Sequence, residues 1–143
     1  MLPSEKQLLV NDLNNQFRHH GATHVIDAVL KHGVLGQVAM VSSFGAESAA
    51  LLHLIAITRP DTPVLFIDTN MLFVETLIYQ SDLSEQLDLK NLRVLRAAPA
   101  TIAEHDLNET LHKDTPDTCC HLRKTSVLQN ALVQIGRASC RER

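Results

Sequence analysis

Between residues 37 and 95 the chain alternates three short apolar runs with two long helix-forming ones, and few architectures accommodate that order. Residues 37–41 (Gln-Val-Ala-Met-Val) are bounded by Gly36 and by Ser42-Ser43, which marks a short buried strand. Residues 46–57 then predict a helix that stops before Arg59-Pro60-Asp61, because the residue preceding a proline is biased away from the helical region. The same alternation follows with a strand over 62–67, a helix over 73–87 and a strand over 92–95. Connections this short require neighbouring strands joined by right-handed helical crossovers, so the predicted class is α/β with a parallel sheet and helices on both faces. Only 3% of residues are aromatic although 45% are hydrophobic, so the core has to be aliphatic, as suits a sheet covered by helices.

The flanks are helical or polar. Ser4 and Gln7 have capping-box spacing ahead of Leu8, Leu9, Leu13 and Phe17, which predicts a first helix over 5–17. Thr23 is placed to cap a second helix that Gly33 would end in a left-handed conformation. Residues 1–35 thus read as a helical preface and 36–134 as one α/β domain. Beyond Pro99 the chain turns polar, and Pro116-Asp117-Thr118 opens a helix predicted over 118–133. Residues 135–143, ending Gly-Arg-Ala-Ser-Cys-Arg-Glu-Arg, look like a translated library adapter; the reading treats them as a non-native tail and leaves them out of the fold.

Composition removes several function classes. A formal charge of −3 and the lack of basic runs argue against nucleic acid, whose phosphates need clustered Lys and Arg. The apolar stretches are too short to span a bilayer, and the N-terminus does not read as a signal peptide, so no membrane association and a cytoplasmic location are expected. Three cysteines, two of them adjacent, do not make a secreted disulfide framework.

Three clusters can carry chemistry. Ser42-Ser43-Phe44-Gly45-Ala46-Glu47-Ser48 lies where a parallel strand hands over to a helix, so open amides and the positive end of the helix dipole face outward. It can cradle an anion, or it can simply be a turn and a cap; it lacks the Gly-Lys-Ser/Thr ending of a Walker loop. Asp68-Thr69-Asn70 follows the second strand at the edge where open α/β sheets bind ligands, and Asn70 tolerates a left-handed backbone; this segment too can be only a turn. Cys119-Cys120 precedes Arg123-Lys124, cations within a turn of the thiols that can offset thiolate charge or contact a ligand phosphate. Successive helical side chains diverge by about 100°, so both thiols reach one object only if it is large; otherwise they are small buried residues. His112 and His121 stand nearby, but no common zinc spacing joins them to the cysteines.

In combination and in this order, the motifs over residues 37–132 resemble those of the sulfonucleotide reductases, within the adenine nucleotide α-hydrolase-like group. The matching residues are Ser42 to Ser48, then Ile67-Asp68-Thr69 with Leu72-Phe73 and Glu75-Thr76, then Cys119-Cys120-His121-Leu122-Arg123-Lys124. The resemblance implies that Ser42, Ser43, Phe44, Gly45, Ala46, Glu47 and Ser48 bind phosphate and sulfate oxygens, and that Asp68, Thr69 and Asn70 line a nucleotide pocket. It implies that Cys119 and Cys120 give half the ligands of a 4Fe-4S cluster, with Lys124 between cluster and substrate, and no flavin or NAD. The activity implied is thioredoxin-dependent reduction of adenylyl-sulfate or phosphoadenylyl-sulfate to sulfite in sulfate assimilation; the cysteine pair favours the adenylyl-sulfate branch, and a homo-oligomer stays open. The sequence departs from the family at Asn70, where Gly is common, and at Thr125-Ser126-Val127, where Pro is usual. The second cysteine pair and the C-terminal nucleophilic cysteine are missing, and Cys140, in the suspect tail, is not given that role; the chain is expected to be incomplete at its C-terminus and not to turn over. Two other readings stay open: an ATP-pyrophosphatase-type adenylating enzyme of the same group, and a non-enzymatic nucleotide- or metal-binding module.

Overall fold

The computed structural model of the protein describes residues 3–135 and 137–140. Helices α1 (Pro3–Phe17) and α2 (Ala22–Leu30) precede β1 (Val38–Val41), α3 (Ala46–Thr58), β2 (Val64–Ile67), α4 (Val74–Gln86) and β3 (Leu92–Leu95). The chain continues through α5 (Pro99–His105), α6 (Leu111–Asp114), α7 (Pro116–Cys120), a π-helical turn (His121–Thr125), α8 (Ser126–Ile135) and β4 (Arg137–Cys140). The four strands form one sheet in the order β3-β2-β1-β4, and every pair is parallel.

Period-two alternation along each strand builds two cores, one on each face. Met40, Val64 and Phe66 point to one face, where they pack with Leu30 of α2 and with Leu52 and Ile55 of α3. Ala39, Val41 and Leu65 point to the other, where Ile135, Leu128, Ala131 and Leu132 of α8 cover them. The predicted parallel α/β sheet with helices on both faces is the fold observed. Leu52 and Val64 are fully buried, and each such side chain contributes about 1.5–3 kcal/mol of transfer free energy. The helical preface divides: α2 packs against α3, whereas α1 turns only Leu9, Leu13 and Phe17 partly inward and leaves Leu8 exposed.

Local differences from the sequence reading have identifiable causes. Ser4 lies inside α1, which already begins at Pro3, and the N-cap of α2 is Gly21 and not Thr23, with no side-chain cap. Gly33 does take the left-handed conformation, at φ +62°. The helix predicted over 118–133 is interrupted after Cys120 by the π turn; the Ser126 hydroxyl sits beside that turn, 2.9 Å from the His121 carbonyl and 3.1 Å from that of Leu122. The polar stretch after Pro99 carries two short helices, α5 and α6, that the pattern does not predict. Residues 137–140, left out of the sequence reading of the fold, pair with β1 from Val38↔Arg137 to Val41↔Cys140.

Candidate functional site

Three loops leave the sheet at one edge, the carboxyl ends of the parallel strands. The ladder runs one residue past β1 and β2: the Ser42 N–H donates to the Leu65 carbonyl and the Asp68 N–H to that of Leu95, both at 2.9 Å. Ser42, Asp68 and Arg96, each the first residue after its strand, are therefore held at the same level. In open parallel sheets this edge is where ligands bind.

In the first loop Ser42 is buried and its Oγ accepts the Phe44 N–H at 3.0 Å. Phe44 takes a left-handed backbone at φ +62°, a costly conformation for a bulky residue that its packing has to offset. Its ring stands edge-on to Phe66 at 5.5 Å and 87°, inside the core. Phe44 therefore anchors the loop, and its side chain does not face a ligand. Ser43, Gly45, Ala46 and Glu47 are exposed, and Ser48 is buried in the first turn of α3. Gly45 is the N-cap of α3 in an extended conformation, φ −62° and ψ 163°, with no side-chain cap. The N-cap of this 13-residue helix thus brings no side chain of its own to the positive end of the dipole.

The second loop is turned inward. One Asp68 oxygen accepts the Asn70 N–H at 2.9 Å and the other accepts Arg96 Nε at 2.9 Å, so this nearly buried carboxylate is occupied within the protein. Thr69 Oγ1 accepts the Met71 N–H at 3.3 Å, and Asn70 takes the left-handed conformation at φ +61° that the sequence reading allowed it. What Asp68 offers the edge is a positioned cation: Arg96, half exposed, has no other hydrogen bond among the described residues. The sequence reading missed Arg96, although its place directly after β3, matching Ser42 and Asp68, is a legible signal.

The cysteine pair reaches this edge through Arg123. Arg123 is buried; its Nη1 donates to the Thr69 carbonyl and its Nη2 to Asp106 Oδ2, each at 2.8 Å. The other Asp106 oxygen accepts the Leu111 N–H at 3.0 Å, which holds the start of α6. The sequence reading gave Arg123 a thiolate or a ligand phosphate as partner; the structure gives it Asp106, a residue that reading did not single out. Lys124, next along the π turn, is exposed. Cys119 is buried and Cys120 exposed, both as free thiols.

Asn70, Arg96, Pro99, Ile102, Asp106 and Arg123 are among the residues lining an open cleft of about 560 Å³ at this edge. A second cleft, of about 320 Å³, lies at the opposite edge, between Gly36, Arg59 and Arg93. Among the described residues no group of three or more His, Cys, Asp or Glu gathers as a metal site. Cys119 and Cys120 are donors of the type an iron-sulfur cluster takes, but two adjacent thiols make half of a four-thiolate set, so the described residues do not form a complete cluster site. Among the described residues no helix is long and apolar enough to cross a membrane.

The hydrogen bond from Arg123, and after it that from the Leu111 N–H, hold the Asp106 carboxyl below its ordinary value of 3.8. A depressed folded value gives stability that is present in full above the unfolded value and lost as pH falls through the folded one. The stability gap between wild type and Asp106→Asn, measured by urea unfolding, should therefore be constant near neutrality and narrow below about pH 3.8. A gap that does not change with pH would contradict this assignment.

Residues 37–140 match the family model described as phosphoadenosine phosphosulfate reductase domain. The chain belongs to that family. An adenosine 5'-phosphosulfate reductase of Chelativorans sp. (strain BNC1) is 35% identical over 131 residues, covering 91% of this chain and 54% of that protein. A phosphoadenosine 5'-phosphosulfate reductase of Yersinia pseudotuberculosis serotype O:1b (strain IP 31758) is 42% identical over 98 residues, covering 68% of this chain and 39% of that protein. The chain thus spans about half the length of the first relative and less of the second. The crystal structure of phosphoadenylyl-sulfate reductase from Candida auris, a phosphate complex, superposes with a TM-score of 0.68 at 18% identity, over 90% of this chain and 64% of that one. This last likeness establishes the fold shared with the reductase domain family.

Proposed function

We propose that this chain is the nucleotide-binding part of a sulfonucleotide reductase, taking adenylyl-sulfate or phosphoadenylyl-sulfate at the carboxyl edge of its sheet. In this reading residues 42–48 receive the phosphate and sulfate oxygens, with the exposed Ser43 and Gly45 nearest the ligand, and residues 68–70 border the nucleotide. Arg96 adds a cation at the same edge. The observation that carries the reading is the Arg123–Thr69 hydrogen bond, which ties the helical segment bearing Cys119 and Cys120 to the edge bearing the Ser42–Ser48 loop. The whole enzyme would reduce activated sulfate to sulfite with thioredoxin as donor. The two free thiols suit a reducing, cytoplasmic setting. Cys119 and Cys120 would give two of the ligands of a 4Fe-4S cluster, whose role when bound would be electrostatic, beside the sulfate and Lys124. The other two thiolates would have to come from outside the described residues.

Calorimetric titration of the 143-residue chain with AMP is expected to show saturable binding, while incubation with adenylyl-sulfate and thioredoxin releases no sulfite, for want of the family's nucleophilic cysteine. Absence of AMP binding overturns the nucleotide reading, and sulfite release overturns the lack of turnover. Pyrophosphate release from ATP would favour the adenylating-enzyme alternative.

A further inference from the structure

Behind the carboxyl edge lies a buried Arg123–Asp106 pair with a further arm to Thr69. Neither partner is exposed; their side chains are 3% and 2% accessible. Asp106 has both oxygens satisfied, by Arg123 and by the Leu111 amide. Arg123 uses both Nη groups, and its Nε is buried with no hydrogen-bond partner among the described residues. The pair joins three segments: the turn at Thr69-Asn70, the start of α6, and the helical stretch four residues beyond Cys119. Cys119 is 7% exposed while its neighbour Cys120 faces solvent. The π turn begins directly after this pair, so the backbone between Cys120 and Arg123 already departs from the tighter α spacing.

We propose that Arg123 is a positioning residue that latches Cys119 in its buried place and couples that latch to occupancy of the carboxyl edge. The coupling runs through the Thr69 carbonyl. Asn70, next in the chain, lines the cleft, and a ligand that orders the 68–70 turn also fixes the acceptor of Arg123. Ligand and latch then favour the same closed state, so occupancy at the edge lowers the frequency at which Cys119 becomes accessible. The latch itself stands on contacts present without ligand; its coupling to nucleotide rests on the function proposed above.

The test is competitive alkylation of the 143-residue chain with iodoacetamide at one fixed pH, read by peptide mass spectrometry, with Cys120 as the reference thiol in the same molecule. In wild type, Cys119 is expected to react about tenfold more slowly than Cys120 and more slowly still at saturating AMP. In Arg123→Lys, which keeps the charge but loses the two-armed geometry, the Cys119/Cys120 ratio is expected to rise at least about fivefold, and AMP no longer moves it. Circular dichroism on the same samples reports whether the variant is folded. Should Arg123→Lys fail to fold, Asp106→Asn keeps the shape of its side chain while weakening the pair, and is read by the same ratio. An unchanged ratio in a folded variant overturns the latch, as does AMP protection of Cys119 equal to wild type. If AMP does not bind wild type by calorimetry, the nucleotide reading fails, while the ligand-free ratio still decides for or against the latch.

Discussion

Arg123→Ala is expected to lower the unfolding free energy by about 3–5 kcal/mol, the range found when one partner of a buried ion pair is removed. The side chain is 3% exposed and spans two segments, so its loss leaves the Thr69 carbonyl and Asp106 Oδ2 without their donor and opens a cavity between them. For a domain of this size such a loss is a large part of the whole stability. Urea or thermal unfolding measures it. Arg123→Lys should recover only part of the loss, because an ammonium group cannot reach the carbonyl and the carboxylate with the planar two-armed geometry of guanidinium. Full recovery by Lys would mean that charge alone matters and that the observed geometry does not.

Gly45→Asp is expected to separate stability from binding, with the two moving in opposite directions. Gly45 occupies the N-cap of α3 in an extended conformation that any residue adopts, and it is exposed, so Asp needs no backbone strain there. An Asp there can cap the first turn and stabilises the fold by a few tenths of a kcal/mol. The same carboxylate stands where the nucleotide's phosphate would approach. Two unit charges about 4 Å apart at an effective dielectric of 20 repel by about 4 kcal/mol, and half of that weakens AMP binding roughly thirtyfold. Calorimetry with AMP and thermal unfolding on the same preparation give both readouts. A variant that is slightly more stable and binds AMP as wild type does would remove the Ser42–Ser48 loop from the site.

The comparison of sequence with structure divides along physical lines. The strands and crossover helices from β1 to β3 were legible because burial on both faces imposes continuous apolar runs, and burial is a local property of sequence. Helices α5 and α6 were not, since what starts them is Pro99 at a first helical position and, for α6, the Asp106 carboxylate accepting the Leu111 amide five residues on. The π turn was hidden because residues 121–125 keep helix-compatible side chains and only the hydrogen-bond register changes.

The site shows the same division. Its position at the strand ends follows from topology and was legible, as was the left-handed Asn70. The inward roles of Phe44 and Asp68 were not: the first depends on an aromatic partner 22 residues away and the second on Arg96, 28 residues on. Arg123 and Lys124 looked equivalent as adjacent cations, and only the fold, by bringing Asp106 against one of them, makes the first a buried strut and leaves the second in solvent.

Nucleotide is expected to engage the carboxyl edge and to be felt at the cysteine-bearing segment tied to it. Hydrogen exchange with and without saturating AMP tests this directly. The expected result is slowed exchange at residues 42–48 and 68–70 together with 119–123, and no change around Gly36, Arg59 and Arg93 at the opposite edge. Protection confined to that opposite edge, or protection of the loops with residues 119–123 unaffected, would contradict it.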